Sequence, residues 1–165
     1  MKKTYCFVIV ATMLLACQPK NQPVTVDLAT FKTEVNTLME TYLTAWNARD
    51  VNTLSSLITD GGMFCGTDPD EIMDKKNIAD AWTQAFADTA FNSTFTVNKR
   101  EIRMESNGNS AIVMEQYLAN PYTPKIPWRL VCRAVKTANG WKLDFISWNL
   151  IPENEDIPKL NKALE

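Results

Sequence analysis

The stretch "YLTAWNARDVNTLSSLITDGGMFCGTDP", residues 42–69, carries the end of one helix, a second short helix and the start of a strand. Upstream of it, apolar side chains recur at Leu28, Phe31, Val35, Leu38, Tyr42 and Trp46, in steps of three and four, which makes one stripe along a long helix. Asp27 is placed to cap its start. Asp50 ends this helical region and caps a shorter helix with Leu54, Leu57 and Ile58 facing inward. Gly61-Gly62 reads as its stop signal. Met63-Phe64-Cys65 then reads as a short strand.

Next comes "GTDPDEIMD", Gly66 to Asp74, with Asp68, Asp70, Glu71 and Asp74 within seven residues. As a calcium loop starting at Asp68 it fails, because the sixth position is Met73 rather than Gly and the twelfth is Ala79 rather than Glu. As a turn it works: Gly66 and Pro69 punctuate the backbone, Asp70 and Glu71 stay solvated and Asp74 caps the next helix. Ile78, Trp82 and Phe86, with Ala81 and Ala85 beside them, predict that helix over Lys75 to Thr89.

The period then changes. Residues 93–104, 110–119, 126–137 and 141–151 are rich in β-branched and aromatic side chains and read as four strands. Asn107-Gly108-Asn109 and Asn139-Gly140 are hairpin signals between them. Three helices followed by an antiparallel four-strand meander, plus the short extra strand, is an α+β architecture over residues 27–152. Residues 153–165 form a polar tail with a short helix carrying Leu160 and Leu164.

A two-residue turn at Asn139-Gly140 pairs Ala138 with Trp141, Ala134 with Phe145 and Cys132 with Ser147. One face of this hairpin then holds Trp128, Leu130, Cys132 and Ala134 with Leu143, Phe145, Ser147 and Asn149, and should meet the helices. The other holds Arg129, Val131, Arg133 and Val135 with Asp144, Ile146, Trp148 and Leu150. Three large apolar groups exposed together would form a sizeable patch, so a homodimer through Arg129, Arg133, Ile146, Trp148 and Leu150 is expected.

Composition narrows the chemistry. The chain has 165 residues, enough for one domain with a proper core. Lys2 and Lys3 are the only charged residues ahead of Cys17; 17 basic groups less these two leaves 15 against 19 acidic. That balance gives no basic footprint for nucleic acid. There is no histidine, which removes His-based dyads, triads and most zinc sites. No metal or other cofactor is expected. Cys65 and Cys132 are either bonded to each other or two buried free thiols.

"MKKTYCFVIVATMLLACQPK" has a basic start, an apolar run from Tyr5 to Leu15 too short to span a bilayer, and then Ala16-Cys17. Leu14-Leu15-Ala16-Cys17 resembles the lipobox of bacterial lipoproteins. The resemblance implies a signal peptide over residues 1–16, palmitate-type acylation of Cys17, and a tether over 17–26. Gln18, not being Asp, favours the outer membrane by the enterobacterial sorting rule, and a domain facing the periplasm is a separate expectation.

The order of elements, with the stretch at 42–69 and the closing "GWKL" at 140–143, resembles the nuclear transport factor 2-like superfamily with its cystatin-like fold, and its SnoaL-like branch above all. The resemblance covers about Leu28 to Pro152. It implies a cone in which a curved sheet wraps the long helix and leaves an internal pocket. Ketosteroid isomerase is the enzymatic test case in this superfamily. Its tyrosine and helix-ending Asp match the spacing of Tyr42 and Asp50. Its general base falls ungapped on Gly66, and a two-residue insertion brings Asp68-Pro69 there. Its third group, a protonated Asp in an apolar sheet position, has no direct counterpart, and Glu115 is the nearest candidate on a strand. The Asp–His arrangement of polyketide cyclases has no match in a chain without His.

The pocket expected on these grounds is lined by Tyr42, Trp46, Phe64, Trp82 and Phe86 from the first half of the chain. From the meander, Glu115, Tyr117, Trp128, Phe145 and Asn149 complete it. The leading expectation is an envelope domain that binds a small apolar or amphipathic molecule. The alternatives are a lyase or isomerase using Tyr42 with Asp68 or Glu115, and a dimeric interaction protein whose cone is filled by its own side chains.

Overall fold

A computed structural model describes residues 27–91 and 93–165. The expected signal peptide, Cys17 and the tether up to residue 26 lie outside the described residues. The elements run α1 (Leu28–Asn47), α2 (Val51–Ser56), β1 (Ile58–Cys65), β2 (Ile72–Met73), α3 (Lys75–Ala87), β3 (Thr94–Met104), β4 (Ser110–Asn120), β5 (Thr123–Thr137) and β6 (Gly140–Leu150). A single 3-10 turn, Asn154–Asp156, and α4 (Ile157–Ala163) follow.

Each of the first three helices starts on an aspartate. Asp27 accepts from the Thr30 backbone N–H at 3.0 Å, Asp50 from Thr53 at 3.0 Å and Asp74 from Asn77 at 2.8 Å. The Thr30 and Thr53 hydroxyls donate to the same carboxylates, and these bonds hold the Asp27 and Asp50 pKa values below the usual carboxylate range. Arg49, at φ 58, takes the left-handed position just beyond α1, so that Asp50 N–H returns to the Ala45 carbonyl. The turn between α1 and α2 is therefore built by backbone and cap together.

The sheet has six strands in the order β2-β1-β6-β5-β4-β3. The meander β3–β6 is antiparallel, as expected, while β1 joins it parallel to β6. β1 is longer than the sequence suggested, because Gly61 and Gly62 do not stop a helix. They lie in a register irregularity between Ile58 and Met63, a strand role that glycines fill as readily. β2 folds the acidic stretch back on β1, pairing Met73 with Phe64 and Ile72 with Cys65.

The hairpin from β5 to β6 departs from the expected register, and the departure changes which residues are inside. Thr137 pairs with Gly140 and Ala134 with Leu143. A bulge then makes Asp144 the extra residue, so Arg133 faces Phe145, Cys132 faces Ile146 and Leu130 faces Trp148. Because side chains alternate, a one-residue insertion flips everything beyond it. Ile146 and Trp148 are buried in the core, not on a partner face. Phe145 and Ser147 are half-buried and Asn149 is exposed, on the convex side. Trp128, Leu130, Cys132, Ala134 and Leu143 are buried as expected. Leu150 shares Trp128's face at the rim and is half-exposed.

The α1 stripe lies in the hollow of the curved sheet. Val35, Leu38, Met39, Tyr42 and Ala45 are buried against the inner residues of β3–β6. Polar ties fix the helix along its length. Trp141 Nε1 donates to Glu34 at 2.7 Å, and the Asn47 side chain both donates to the Phe95 carbonyl and accepts from its N–H, each at 2.9 Å. Cys65 and Cys132 are free thiols. Cys65 pairs with Ser147 on the convex side, whereas Cys132 is buried 3.7 Å from Met39 Sδ inside the hollow, so the sheet separates them.

Candidate functional site

The open end of the cone holds a cavity of about 250 Å³ between α3, β1 and the ends of β5 and β6. Its wall is an unbroken chain of seven aromatic rings. Phe64 meets Trp82 at 6.0 Å between centroids, and Trp82 meets Trp46 at 6.0 Å. Trp46 meets Trp148 at 5.6 Å, and Trp148 meets Trp128 at 5.8 Å. Tyr122 follows at 6.3 Å and Phe91 at a further 5.0 Å. All seven line the cavity, and most pairs are edge-to-face, the arrangement that quadrupoles favour. Trp128 is held in place by donating its Nε1 to the Thr123 hydroxyl at 2.5 Å. Ala81 and Ala85 of α3 also face the cavity, and their small side chains leave the space that larger ones would fill.

Four of the ten residues expected at the pocket, Trp46, Phe64, Trp82 and Trp128, line it. Phe86 packs behind Trp46 at 5.3 Å. Phe145 and Asn149 are on the convex side because of the bulge at Asp144. Tyr42, Glu115 and Tyr117 point into the hollow but lie below the tryptophan floor, in the filled half of the cone. Tyr42 Oη accepts a hydrogen bond from Trp148 Nε1 at 3.3 Å, and burial pushes its pKa far above the ordinary phenol value. Tyr117 packs on Trp148 at 5.1 Å with its hydroxyl unpartnered among the described residues.

Glu115 is fully buried. Burial raises its pKa to about 7, against the opposing pull of Arg100, which donates to it. Arg100 also donates to Glu40 and, at 2.9 Å, to Asn36, so the network ties β3 and β4 to α1. Glu115 Oε2 and Arg100 Nη2 have no further partner among the described residues. Burial likewise raises the Cys132 thiol well above its ordinary value.

The acidic stretch is a turn, a cap and one wall residue. Asp68 is exposed, and its carboxylate accepts from the Asp70 N–H at 3.1 Å. Among the described residues no three of Cys, Asp and Glu are grouped to hold a metal. Glu71, expected to be merely solvated, is half-buried and lines the cavity. Its Oε2 accepts from the Asp68 N–H at 3.1 Å and packs over Gly66, where an added Cβ would sit 1.9 Å from that oxygen. Met73, Phe91 and Tyr122 are further wall residues that sequence reasoning missed. Phe91 and Tyr122 sit in loops, where no periodicity marks a side chain as inward; their aromatic character beside turn residues was the one available signal.

The candidate catalytic groups do not converge. Neither Tyr42, Asp68 nor Glu115 lines the cavity, and among the described residues Glu71 is its one charged wall residue.

Solved structures share this fold. An NTF2-like protein from Pseudomonas putida KT2440 superposes with a TM-score of 0.66 at 12% identity, covering 73% of this chain and 87% of that one. A putative aromatic ring hydroxylase from Novosphingobium aromaticivorans gives 0.59 at 13% identity, covering 74% and 90%. A protein of unknown function with a cystatin-like fold from Nostoc punctiforme gives 0.61 at 13%, covering 74% and 92%. No curated protein is significantly similar to the chain. The family model for the SnoaL-like domain matches residues 35–146, the span that runs from within α1 to within β6 and includes the cavity wall from Trp46 to Trp128. The chain belongs to the SnoaL-like domain family, with the NTF2-like α+β fold.

Proposed function

We propose that this chain is a lipid-anchored domain of the bacterial cell envelope that holds a small, largely apolar molecule in the open end of its cone. The observation that carries the binding reading is the seven-ring wall around a cavity that the protein's own side chains leave open. The lyase or isomerase reading needs an acid or base and an oxyanion donor at one point. Tyr42 and Glu115 instead lie beneath the tryptophans, and Asp68 sits on an outer turn. The anchoring part of the proposal rests on the lipobox-like Leu14-Leu15-Ala16-Cys17 and on Gln18, which favours the outer membrane.

The domain acts as a homodimer through its convex sheet face. Arg129 and Arg133 remain part of that face, but its apolar members are Met63, Phe145, Val131, Met114 and Ile112, in adjacent strands, in place of Ile146 and Trp148. Native mass spectrometry of the purified protein tests all three parts. The expected spectrum shows a dimer, an acyl mass on a chain beginning at Cys17, and a co-purified small molecule lost on mild activation. An unmodified, ligand-free monomer would refute the proposal.

A further inference from the structure

The ligand class can be read from what surrounds the cavity, resting on the binding proposal above. Aromatic faces are negative, and a wall in which half of the lining residues are aromatic favours a positive guest. The charged groups agree. Among the described residues no Lys or Arg lines the cavity, and its one charged wall residue is Glu71. That carboxylate is held by the Asp68 N–H and by the space Gly66 leaves, and no cation lies within ion-pair distance of it among the described residues. The other carboxylates that the fold buries wholly or in part are matched: Glu115 with Arg100, Asp144 with Arg133 and Asp156 with Lys159. Glu71 is half-buried, lines the same cavity as the seven rings, and makes no side-chain bond through its second oxygen among the described residues. A neutral planar ligand would gain from the rings and nothing from this acid. An anion would be repelled by both.

We infer that the cavity binds a compact organic cation, an alkylated ammonium group seated against the tryptophan faces with Glu71 as its counter-charge. The cavity volume, about 250 Å³, admits a group of this size. The guest is a free quaternary amine or the choline headgroup of a lipid; both present the same trimethylammonium.

The test compares choline with 3,3-dimethyl-1-butanol, its neutral isostere, by calorimetry and by tryptophan fluorescence. Four of the five tryptophans line the cavity, so occupancy should be visible in emission. Choline is expected to bind about tenfold more tightly than the isostere. Glu71→Gln, which keeps an oxygen for the Asp68 N–H, is expected to erase most of that difference, bringing the ratio of the two affinities close to one. Rising salt should weaken choline alone. A soluble short-chain phosphatidylcholine binding more tightly than choline assigns the headgroup as source; choline binding more tightly assigns a free amine. Equal affinity for choline and the isostere overturns the cation assignment and leaves the binding reading standing. So does binding of a neutral naphthylamine dye with no choline binding. If none of these molecules binds, both readings fall.

Discussion

Trp148 Nε1 donates to Tyr42 Oη at 3.3 Å across the hollow, joining β6 to α1 at the boundary between the filled and open halves of the cone. Both side chains are almost fully buried. The hydroxyl that a comparison with ketosteroid isomerase would make catalytic is here an acceptor that satisfies an indole.

Tyr42→Phe therefore strands a buried donor. It is expected to lower stability by about 1–2 kcal/mol, measured by urea unfolding, with ligand occupancy in native mass spectrometry unchanged. A large loss of occupancy with no loss of stability would return Tyr42 to the binding site.

Glu115 gives the fold a pH signature. Its carboxyl titrates at about 7 when folded against an ordinary 4.5, because burial disfavours its charge. The folded state thus holds a proton that the unfolded state releases between these values. The contribution is complete below pH 4.5 and is lost as pH rises through 7. Thermal unfolding should show stability falling by about 1–3 kcal/mol over that interval, and Glu115→Gln should flatten it. Asp27, Asp50 and Asp60 have lowered pKa values, so their contributions fade only as pH falls through the acid range below 3.8 and do not mask the effect. A wild-type profile already flat from pH 5 to 7 would contradict the account.

Asp144 is the bulged residue of β6, standing with Phe145 opposite Arg133. Asp144→Ala loses the pair with Arg133, whose guanidinium is half-exposed, and should change stability little. Deleting Asp144 removes the extra residue and leaves Leu143, Ile146 and Trp148 opposite Ala134, Cys132 and Leu130 in an unbroken ladder, so the deletion is expected to fold cooperatively with Ile146 and Trp148 still buried. Near-ultraviolet circular dichroism checks this; loss of the native-like spectrum in the deletion would show that the bulge itself is required.

Ala85 faces the cavity from α3. Ala85→Phe should fill much of the space and lower binding of any cavity ligand by about tenfold or more, a loss of 1.4 kcal/mol or greater, while the melting temperature holds or rises. Unchanged binding in this variant would place the ligand elsewhere on the molecule.

The helices, their aspartate caps, the meander and the amphipathic stripe of α1 were legible because each rests on interactions within a few residues. A cap needs a carboxylate three positions ahead of an N–H, and a stripe needs only its period. The sequence by itself also determined that this molecule works without imidazole. Tertiary structure alone decided the rest. Gly61 and Gly62 read equally as a helix stop or a strand irregularity, and pairing of β1 with β6 settles it. The bulge at Asp144 inverts the faces of β6, so Trp148 changes from expected surface to cavity floor and Phe145 from expected wall to convex face. Glu71, Phe91 and Tyr122 reach the cavity from a turn and two loops. Their orientation comes from contacts with segments far away in the chain, and no local pattern encodes it.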